Sequence, residues 1–418
     1  MNPIPLNRRD ALHTWAAFLP GLGHYAKRRN HVEPLHRNVS RLSAALRHRL
    51  LLEDEVISDT LQRYEFRKVE KWLQEVCWRR YWKGWLEQRP DVWTTWRRRV
   101  RELNETLPEA VMQRARAVAA GESGVACMDA LARELITTGY LHNHARMWWA
   151  SYWIHGERLP WELGADFFYR YLLDADPASN TLSWRWVAGL QTPGKTYLVR
   201  ESNIEKYAPE LLLSDRAGCE RIADGAISPP VATEFANTTR QTLLEHPAAV
   251  PGSDRRIGIW LHEDDLVPEV GPLATLTPVT VAAFFSAHHH FALSEQRSAA
   301  LHEVLTDGLA RAAAHFQCPT LLNKNDDFAT GICSWAVTCG LDEVVAFVPT
   351  VGPVADLVPH LRQRLSSAGI TLTLLRRTSD AHAFKLAGSG FFPFWEKMGR
   401  HINHQNSLFA GPENPNED

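Results

Sequence analysis

The spacing of apolar residues divides the chain into two parts. Through residues 1–205, apolar side chains recur at intervals of three and four and β-branched runs are few, a pattern that predicts helices. From residue 255 onward, short apolar runs such as RIGIWL at 256–261 and PVTVAAFF at 278–285 indicate buried strands. A helical first half is therefore expected to precede a half that contains a sheet.

The second half alternates strands with helices. We predict strands at 256–261, 278–285, 319–322, 343–348 and 370–375, and helices at 297–316, 329–340 and 354–367. This alternation is typical of a parallel sheet covered by helices, so we expect a Rossmann-like α/β domain. No G-x-G-x-x-G follows a strand, and the dinucleotide fingerprint is absent.

A chain of 418 residues is long enough for two or three domains, each with its own core. Residues 211–253 are weakly patterned and rich in Pro and Gly, which indicates a linker. We therefore predict a multidomain α and α/β protein. Its parts are a helical domain at 1–210, the linker, an α/β domain at 254–405 and a disordered tail at 406–418.

Several protein classes are excluded by simple patterns. The start lacks an apolar signal core and no run of 18 apolar residues occurs, so a cytoplasmic protein without membrane contact is expected. The six cysteines show no C-x-x-C pair, which argues against a zinc site, an iron–sulfur cluster or a disulfide framework. Three consecutive histidines, 288–290, fit a strand-end loop better than a metal site. We expect no metal, and a monomer.

The charge differs between the halves. Residues 1–210 hold 31 Lys and Arg against 25 Asp and Glu, whereas residues 211–418 hold 15 against 23. A polyanion would bind the first half by releasing counterions. The candidate basic surface comprises Arg8, Arg9, Lys27, Arg28, Arg29, Arg97, Arg98 and Arg99, with Trp93 and Trp96 beside the last three. Nucleic-acid docking and ordinary solvated helix faces both remain open.

Residues 138–186 contain the candidate chemistry. They read TGYLHNHARMWWASYWIH, a connector, and then LLDADPASNTLSWRW. Tyr140, Asn143 and Met147 project to one side of a helix, with Arg146 beside them, and Asp174 is expected to pair with Arg146. Buried charges need a partner or a ligand, so this segment is interpreted as the lining of a cavity for a large, flat, polar-edged ligand. Each residue alone would also fit an ordinary helical core.

The order of four segments carries a resemblance. NVSRLSAAL at 38–46, KWLQEVCWRRYW at 71–82, SGVACMDALARELITTGYLHNHARM at 123–147 and LLDADPASNTLSWRW at 172–186 occur in collinear order. Over about residues 20–205, the chain resembles the flavin-binding domain of the photolyase/cryptochrome family. The resemblance implies FAD as the cofactor. It implies these cofactor-binding residues: Tyr25, Ser40, Arg41, Leu42, Ser43, Trp72, Arg79, Tyr140, Asn143, Arg146, Asp174, Asp176 and Asn180.

The roles within this set are also implied by the resemblance. Residues 40–43 would contact the diphosphate, and Arg146 and Asp174 would form the pair beside the isoalloxazine ring. Asp176 would lie at the polar edge of the ring, and Asn180 would face N5, where an amide can accept or donate. Tyr140 departs from the family's usual Trp.

The resemblance further implies a substrate and an electron path. Catalytic and lesion-contacting roles fall on Glu75, Trp78, Asn143, Met147, Asn180 and Trp186. Relatives that repair (6–4) photoproducts carry two His where this chain has Asn143 and Met147, which favours cyclobutane pyrimidine dimers. Trp184 and Trp161 match the first two members of a Trp chain that reduces the flavin, and the third is open between Trp93 and Trp96.

The α/β half also resembles part of the family. IWLHEDDL at 259–266 and GSGFFPFWEKM at 388–398 resemble the opening and closing segments of the antenna-type domain with which photolyases ordinarily begin. The resemblance implies a circular permutation and an antenna chromophore of unknown identity. Termini of domains often lie close together, which makes such an exchange physically reasonable.

The expected function is light-driven repair of damaged DNA, single- or double-stranded, by electron transfer from excited reduced FAD to a pyrimidine dimer. A cryptochrome-like blue-light receptor that binds FAD with little repair is the main alternative, and a structural or light-independent flavoprotein is the third. Two departures weaken the expected DNA contact. His144 replaces the family's Arg, and NIEKYAPELL at 203–212 keeps only part of a longer family segment.

Overall fold

The computed structural model describes residues 4–192, 195–222, 238–249, 255–285, 291–323 and 327–409. Its first half is helical, as predicted. The α-helices are α1 (Arg8–Phe18), α2 (Tyr25–Arg28), α3 (Ser43–Arg47), α4 (Glu53–Arg63), α5 (Phe66–Glu87), α6 (Asp91–Thr106), α7 (Glu109–Ala120), α8 (Ala126–Thr138), α9 (Asn143–Ser151), α10 (Trp161–Tyr171), α11 (Pro177–Val187), α12 (Glu201–Tyr207) and α13 (Pro209–Ser214). A π-helical turn, Tyr152–Gly156, extends α9.

The second half is a five-stranded parallel sheet with helices. Its elements are β1 (Ile257–Leu261), β2 (Thr280–Phe284), α14 (Glu295–Phe316), β3 (Thr320–Asn323), α15 (Phe328–Thr338), β4 (Glu343–Phe347), α16 (Pro353–Ser367), β5 (Thr371–Leu375), α17 (Thr378–Leu386) and α18 (Phe391–Phe409). The strand order is β3-β2-β1-β4-β5. Strands β1, β2 and β4 are buried throughout, which explains why their sequences are continuous apolar runs.

Two helices extend across predicted boundaries. Helix α18 continues to Phe409, into the segment predicted as a disordered tail, and it meets α5 where the ring centroids of Phe394 and Tyr81 lie 5.4 Å apart. Helix α13 extends to Ser214, into the predicted linker. The three histidines at 288–290 lie outside the described residues. None of the helices in the described ranges is long and apolar enough to cross a membrane.

Helix α5 is the element on which both halves meet. Gly84 allows α17 to approach, because a Cβ at Gly84 would lie 2.8 Å from the Phe384 Cα. On another face of α5, Phe66 stacks on Trp395 of α18 at a centroid distance of 6.0 Å. The same helix therefore anchors the second half and supplies residues to the candidate site.

The segment 47–49 of the first half fills the carboxyl edge of the sheet. Arg47 Nη1 donates to Asp264 at 2.6 Å and Nη2 donates to Glu263 at 2.9 Å, directly after β1. Arg49 reaches Asp265 at 2.9 Å and Asp380 at 2.7 Å. In an order of 3-2-1-4-5, this edge between β1 and β4 is the switch point at which α/β folds ordinarily bind ligands. Here the switch point is occupied by the protein's own arginines.

Candidate functional site

One face of α5 begins the site. Trp72, Glu75 and Arg79 are spaced by three and four residues, so they share that face. Trp72 is buried, stacks on Trp15 at a centroid distance of 5.6 Å and meets Tyr25 edge-on at 5.0 Å. Tyr25 is thereby brought to the residues of α5, as the predicted set requires.

The loop 40–43 lies across the end of this face. Its shape depends on Arg41, whose φ of 56° lies in the left-handed region, and on a hydrogen bond of 3.3 Å from the Leu42 N–H to the Ser40 hydroxyl. Arg79 Nη2 donates to the Ser43 carbonyl at 3.4 Å, which ties the loop to α5. The hydroxyls and cations of this loop suit the recognition of a diphosphate.

Arg146 and Asp174 form the ion pair expected from the sequence. Arg146 Nη1 donates to Asp174 Oδ2 at 3.0 Å, and Arg146 Nε donates to the Leu141 carbonyl at 2.7 Å. The guanidinium lies 5.8 Å from the centre of the Tyr140 ring. Burial raises the pKa of Asp174, but Arg146 and Arg79 outweigh burial and the pKa is lowered overall. The carboxylate is therefore held ionised.

The start of α11 holds the other two predicted ring contacts. Asp176 caps the helix by accepting the Ser179 N–H at 2.7 Å. Burial opposes ionisation of Asp176, yet Lys83 and Arg47 lower its pKa to about 2. Asn180 Nδ2 donates to the Ala165 carbonyl at 2.8 Å, which fixes the amide and leaves its Oδ1 as an acceptor.

The residues fit a large polar cofactor. Buried polar atoms rarely lack a hydrogen-bond partner in a folded protein. In the described part of the chain, such atoms recur within the predicted FAD set: Arg41 Nε, Trp72 Nε1, Arg79 Nη1, Asp174 Oδ1 and Asp176 Oδ2. Donors and acceptors concentrated in this way are what the diphosphate and the ring edge of FAD require.

The residues predicted to contact the lesion are more accessible than those predicted to hold the ring. Asn143 is exposed, whereas Glu75, Trp78, Met147 and Trp186 are half-buried. Glu75 pairs with Arg29 at 2.7 Å and with Lys71 at 3.3 Å, both through Oε1. Trp78 stacks face to face on Phe391 with ring centroids 3.6 Å apart. One face of the Trp78 indole is therefore covered by the second half of the protein.

The tryptophan cluster around α11 contains members that the sequence reading missed. Trp184 is buried and meets Phe168 edge-on at 5.1 Å and Trp149 edge-on at 6.2 Å. Trp149 stacks on Trp153 at 5.2 Å. In the sequence, only the run WWASYW at 148–153 pointed to Trp149 and Trp153, and an ordinary helical core would also explain that run.

The other tryptophans predicted for the electron path, Trp161, Trp93 and Trp96, form a second group. Trp96 Nε1 donates at 3.2 Å to the carbonyl of Glu162, the residue after Trp161. Trp93 lies 5.1 Å from Trp96. Trp93 and Trp96 are both buried, so neither is a surface-exposed last member of an electron-transfer chain.

The candidate basic residues 97–99 are paired with carboxylates of the protein. Arg97 pairs with Asp356 of α16, and Arg98 and Arg99 pair with Glu102. His144 is also withdrawn from solvent, because its Nδ1 donates to the Asn30 carbonyl at 2.8 Å. Electrostatic docking of a polyanion is weaker here than residue counts indicate.

Comparison with known proteins shows which class of protein part of the chain is similar to. The family model described as the FAD binding domain of DNA photolyase matches residues 72–210. The deoxyribodipyrimidine photo-lyase of Escherichia coli is 28% identical over 46% of this chain and 42% of its own length. The corresponding enzyme of a Thermus thermophilus strain is 35% identical over 31% of this chain and 30% of its own. Residues 72–210 are thus similar to an FAD-binding domain.

Over this part of its length the chain is similar to members of the photolyase/cryptochrome family. It covers less than half the length of these two relatives. A solved class III photolyase from Agrobacterium tumefaciens shares 22% identity, with a TM-score of 0.39, over 57% of this chain and 53% of that chain. A Synechocystis cryptochrome shares 18% identity, with a TM-score of 0.40, over the same shares of the two chains.

Proposed function

We propose that this protein is a light-driven DNA repair flavoprotein that splits cyclobutane pyrimidine dimers. One observation carries the proposal. Three of the side chains assigned to the ring, Asp174, Asp176 and Asn180, are buried, whereas Glu75, Trp78, Asn143, Met147 and Trp186, assigned to the lesion, keep access to solvent. A site that must hold a cofactor permanently and admit a flipped-out dimer needs this division.

Arg146, Asp174, Asp176 and Asn180 would hold the ring of FAD, whose chemistry when reduced and excited would be the loan of one electron for breaking the two cyclobutane C–C bonds, with no net oxidation. The chain's own residues position the partners. Arg29 and Lys71 lie 2.7 and 3.3 Å from Glu75 Oε1, and the half-buried carboxylate would accept a hydrogen bond from a pyrimidine edge. The free face of Trp78 stacks on a base, and the buried oxygens of Asp174 and Asp176 that lack a hydrogen bond would accept from the polar edge of the ring.

We also propose that the order of the two halves is permuted relative to photolyases that begin with an antenna-type domain. The strand order β3-β2-β1-β4-β5 after the helical half supports this. Any antenna chromophore would bind away from the sheet's switch point, because Arg47 and Arg49 fill that edge. Burial of both arginines against four carboxylates argues that the halves work as one unit.

A cryptochrome-like receptor is the second candidate. It is favoured by the neutralised basic run at 97–99 and by the buried His144, because a receptor needs no DNA contact. The presence of Glu75, Trp78, Met147 and Trp186 together favours repair, because a receptor does not need lesion contacts.

The deciding experiment illuminates the reduced, FAD-loaded protein with dimer-containing oligonucleotides, single- and double-stranded, and measures restored thymine. Repair is expected under blue light and not in the dark. Absence of repair from fully reduced, FAD-loaded protein would reject the photolyase function and leave the receptor.

A further inference from the structure

A fully buried lysine lies behind the proposed flavin edge. Lys83 belongs to α5, and its Nζ has no hydrogen-bond partner among the described residues. Nζ lies 3.8 Å from Asp176 Oδ2, an oxygen that is also buried and unpartnered. An isolated buried ammonium group is costly, so a lysine at this place implies a compensating charge.

The second cation near Asp176 is Arg47, which forms hydrogen bonds with other groups. Arg47 Nε stands 3.8 Å from Asp176 Oδ2, but its two Nη groups donate to Asp264 and Glu263 at 2.6 and 2.9 Å. Its Nε donates to the Ala175 carbonyl at 3.3 Å. Arg47 therefore mainly balances the carboxylates of the second half, and of the three cations that lower the pKa of Asp176, Lys83 acts most strongly, ahead of Arg47 and Arg79.

We propose that Lys83 is a positioning residue for the redox chemistry of FAD: by compensating Asp176 at the ring edge, it favours the reduced, negatively charged ring. The inference rests on the proposed placement of the flavin beside Asp176. Reduced flavin that has lost its N1 proton carries a negative charge, which an uncompensated carboxylate would oppose. In a dry interior this opposition is poorly screened, so one ammonium group has a large effect.

Other charges also face Lys83. Burial lowers the pKa of Lys83, Asp176 at the start of α11 opposes that effect, and Arg49 and Arg47 reinforce it. Glu53 of α4 and Asp380 of α17 act on the same site with negative charge. Arg49 is engaged by Asp265 and Asp380, so Asp176 is the carboxylate that lies within ion-pair distance of Lys83.

The test uses the full-length, FAD-loaded protein and Lys83→Met, which keeps the length of the side chain and removes its charge. At a fixed potential, the ratio of reduced to oxidised FAD is expected to fall at least tenfold, which is about 30 mV for a two-electron couple. The pH at which the reduced ring takes up a proton is expected to rise. Lys83→Arg should restore both values, and Lys68→Met, on the exposed part of the same helix, should change neither.

A Lys83→Met protein with the parent's potential and protonation midpoint would overturn the inference. If this variant loses FAD, Lys83→Met/Asp176→Asn removes both charges and is expected to recover it; failure to recover FAD would also overturn the inference. Repair is not among these readouts. A parent that binds FAD but does not repair DNA contradicts the proposed function alone, whereas a parent that binds no FAD contradicts both.

Discussion

Trp78 of α5 lies flat against Phe391 of α18, with ring centroids 3.6 Å apart and planes inclined by 7°. The two residues belong to different halves of the chain, and Phe391 is buried while Trp78 is half-buried. The residue proposed to stack on the lesion is thus held from behind by the second half. Phe391 should fix the angle at which the free face of Trp78 meets a base.

Replacing Phe391 by Leu tests this support. The change keeps an apolar side chain but removes the ring pair, so the free energy of unfolding should fall by about 1 kcal/mol. Affinity for a dimer-containing oligonucleotide should also fall, while the FAD content stays at the parent's value. Denaturant unfolding and binding titrations measure these effects. Phe392→Leu, at a side chain that is 71% exposed, is the matched control and should leave both values unchanged.

Glu75 and Trp78 should separate chemistry from binding. Glu75→Gln keeps the shape but removes the charge, so the quantum yield of repair should fall while dimer affinity changes little. Trp78→Ala should cut affinity by about 1–3 kcal/mol through lost stacking. The exposed Glu65→Gln, next to the start of the same helix, controls for loss of a carboxylate. If both site variants repair DNA like the parent, the lesion assignment is wrong.

The strands of the second half were predictable within a few residues, because β1, β2 and β4 are buried apolar runs and β3 and β5 follow from the alternation of strands with helices. The Arg146–Asp174 pair was predictable from spacing and resemblance. What local sequence could not give is the set of contacts between distant segments. Arg47 and Asp264 are 217 positions apart, and nothing near Arg97 reveals that Asp356 will neutralise it. The lysine behind Asp176 was missed for the same reason, because a lysine on a helix ordinarily indicates solvent.

Arg146→Ala should release FAD. The change leaves the buried Asp174 carboxylate without its closest cation, a loss of about 3 kcal/mol, at the lower end of the range because Arg146 is partly exposed. The ratio of flavin to protein absorbance after purification and the unfolding midpoint are the measurements. Arg116→Ala removes an exposed arginine and is the control. Full flavin content with unchanged stability would show that the pair does not hold the ring.

Trp184→Phe should slow photoreduction of oxidised FAD but spare repair by chemically reduced protein. Trp184 lies one helical turn from Asn180, and its ring meets Trp149, so we expect Trp149→Phe to slow photoreduction as well. Time-resolved absorbance under blue light measures both rates. Trp395→Phe, whose indole bonds Glu70 in another part of the protein, should photoreduce at the parent's rate. If both variants photoreduce FAD at the parent's rate, Trp184 and Trp149 do not belong to the electron path.

The stability of the protein should fall steeply as the pH drops from about 6.5 toward 4. His48 is buried at the junction of the halves, and its Nδ1 donates to the Glu263 carbonyl at 2.8 Å. Burial and the neighbouring Arg47 lower its pKa to about 4, although the Glu263 side chain and carbonyl oppose them, and Arg297 lowers it further. The folded protein therefore holds His48 neutral while the unfolded chain binds a proton below its ordinary pKa of about 6.5.

The direction of this pH dependence follows from the linkage between proton binding and unfolding. In this window the unfolded state binds more protons than the folded state, so the free energy of unfolding decreases as pH falls. His48→Asn keeps a donor for the Glu263 carbonyl and removes the titrating ring, so the slope should shrink by up to about 1.4 kcal/mol per pH unit. Urea unfolding at several pH values measures the slope. His13→Asn, at an exposed position on α1, controls for loss of an imidazole elsewhere. A parental slope in His48→Asn would contradict this assignment, because Arg377 and Arg49 lower the pKa of Asp265 against the effect of burial, so that carboxylate stays charged in this window and cannot supply the slope.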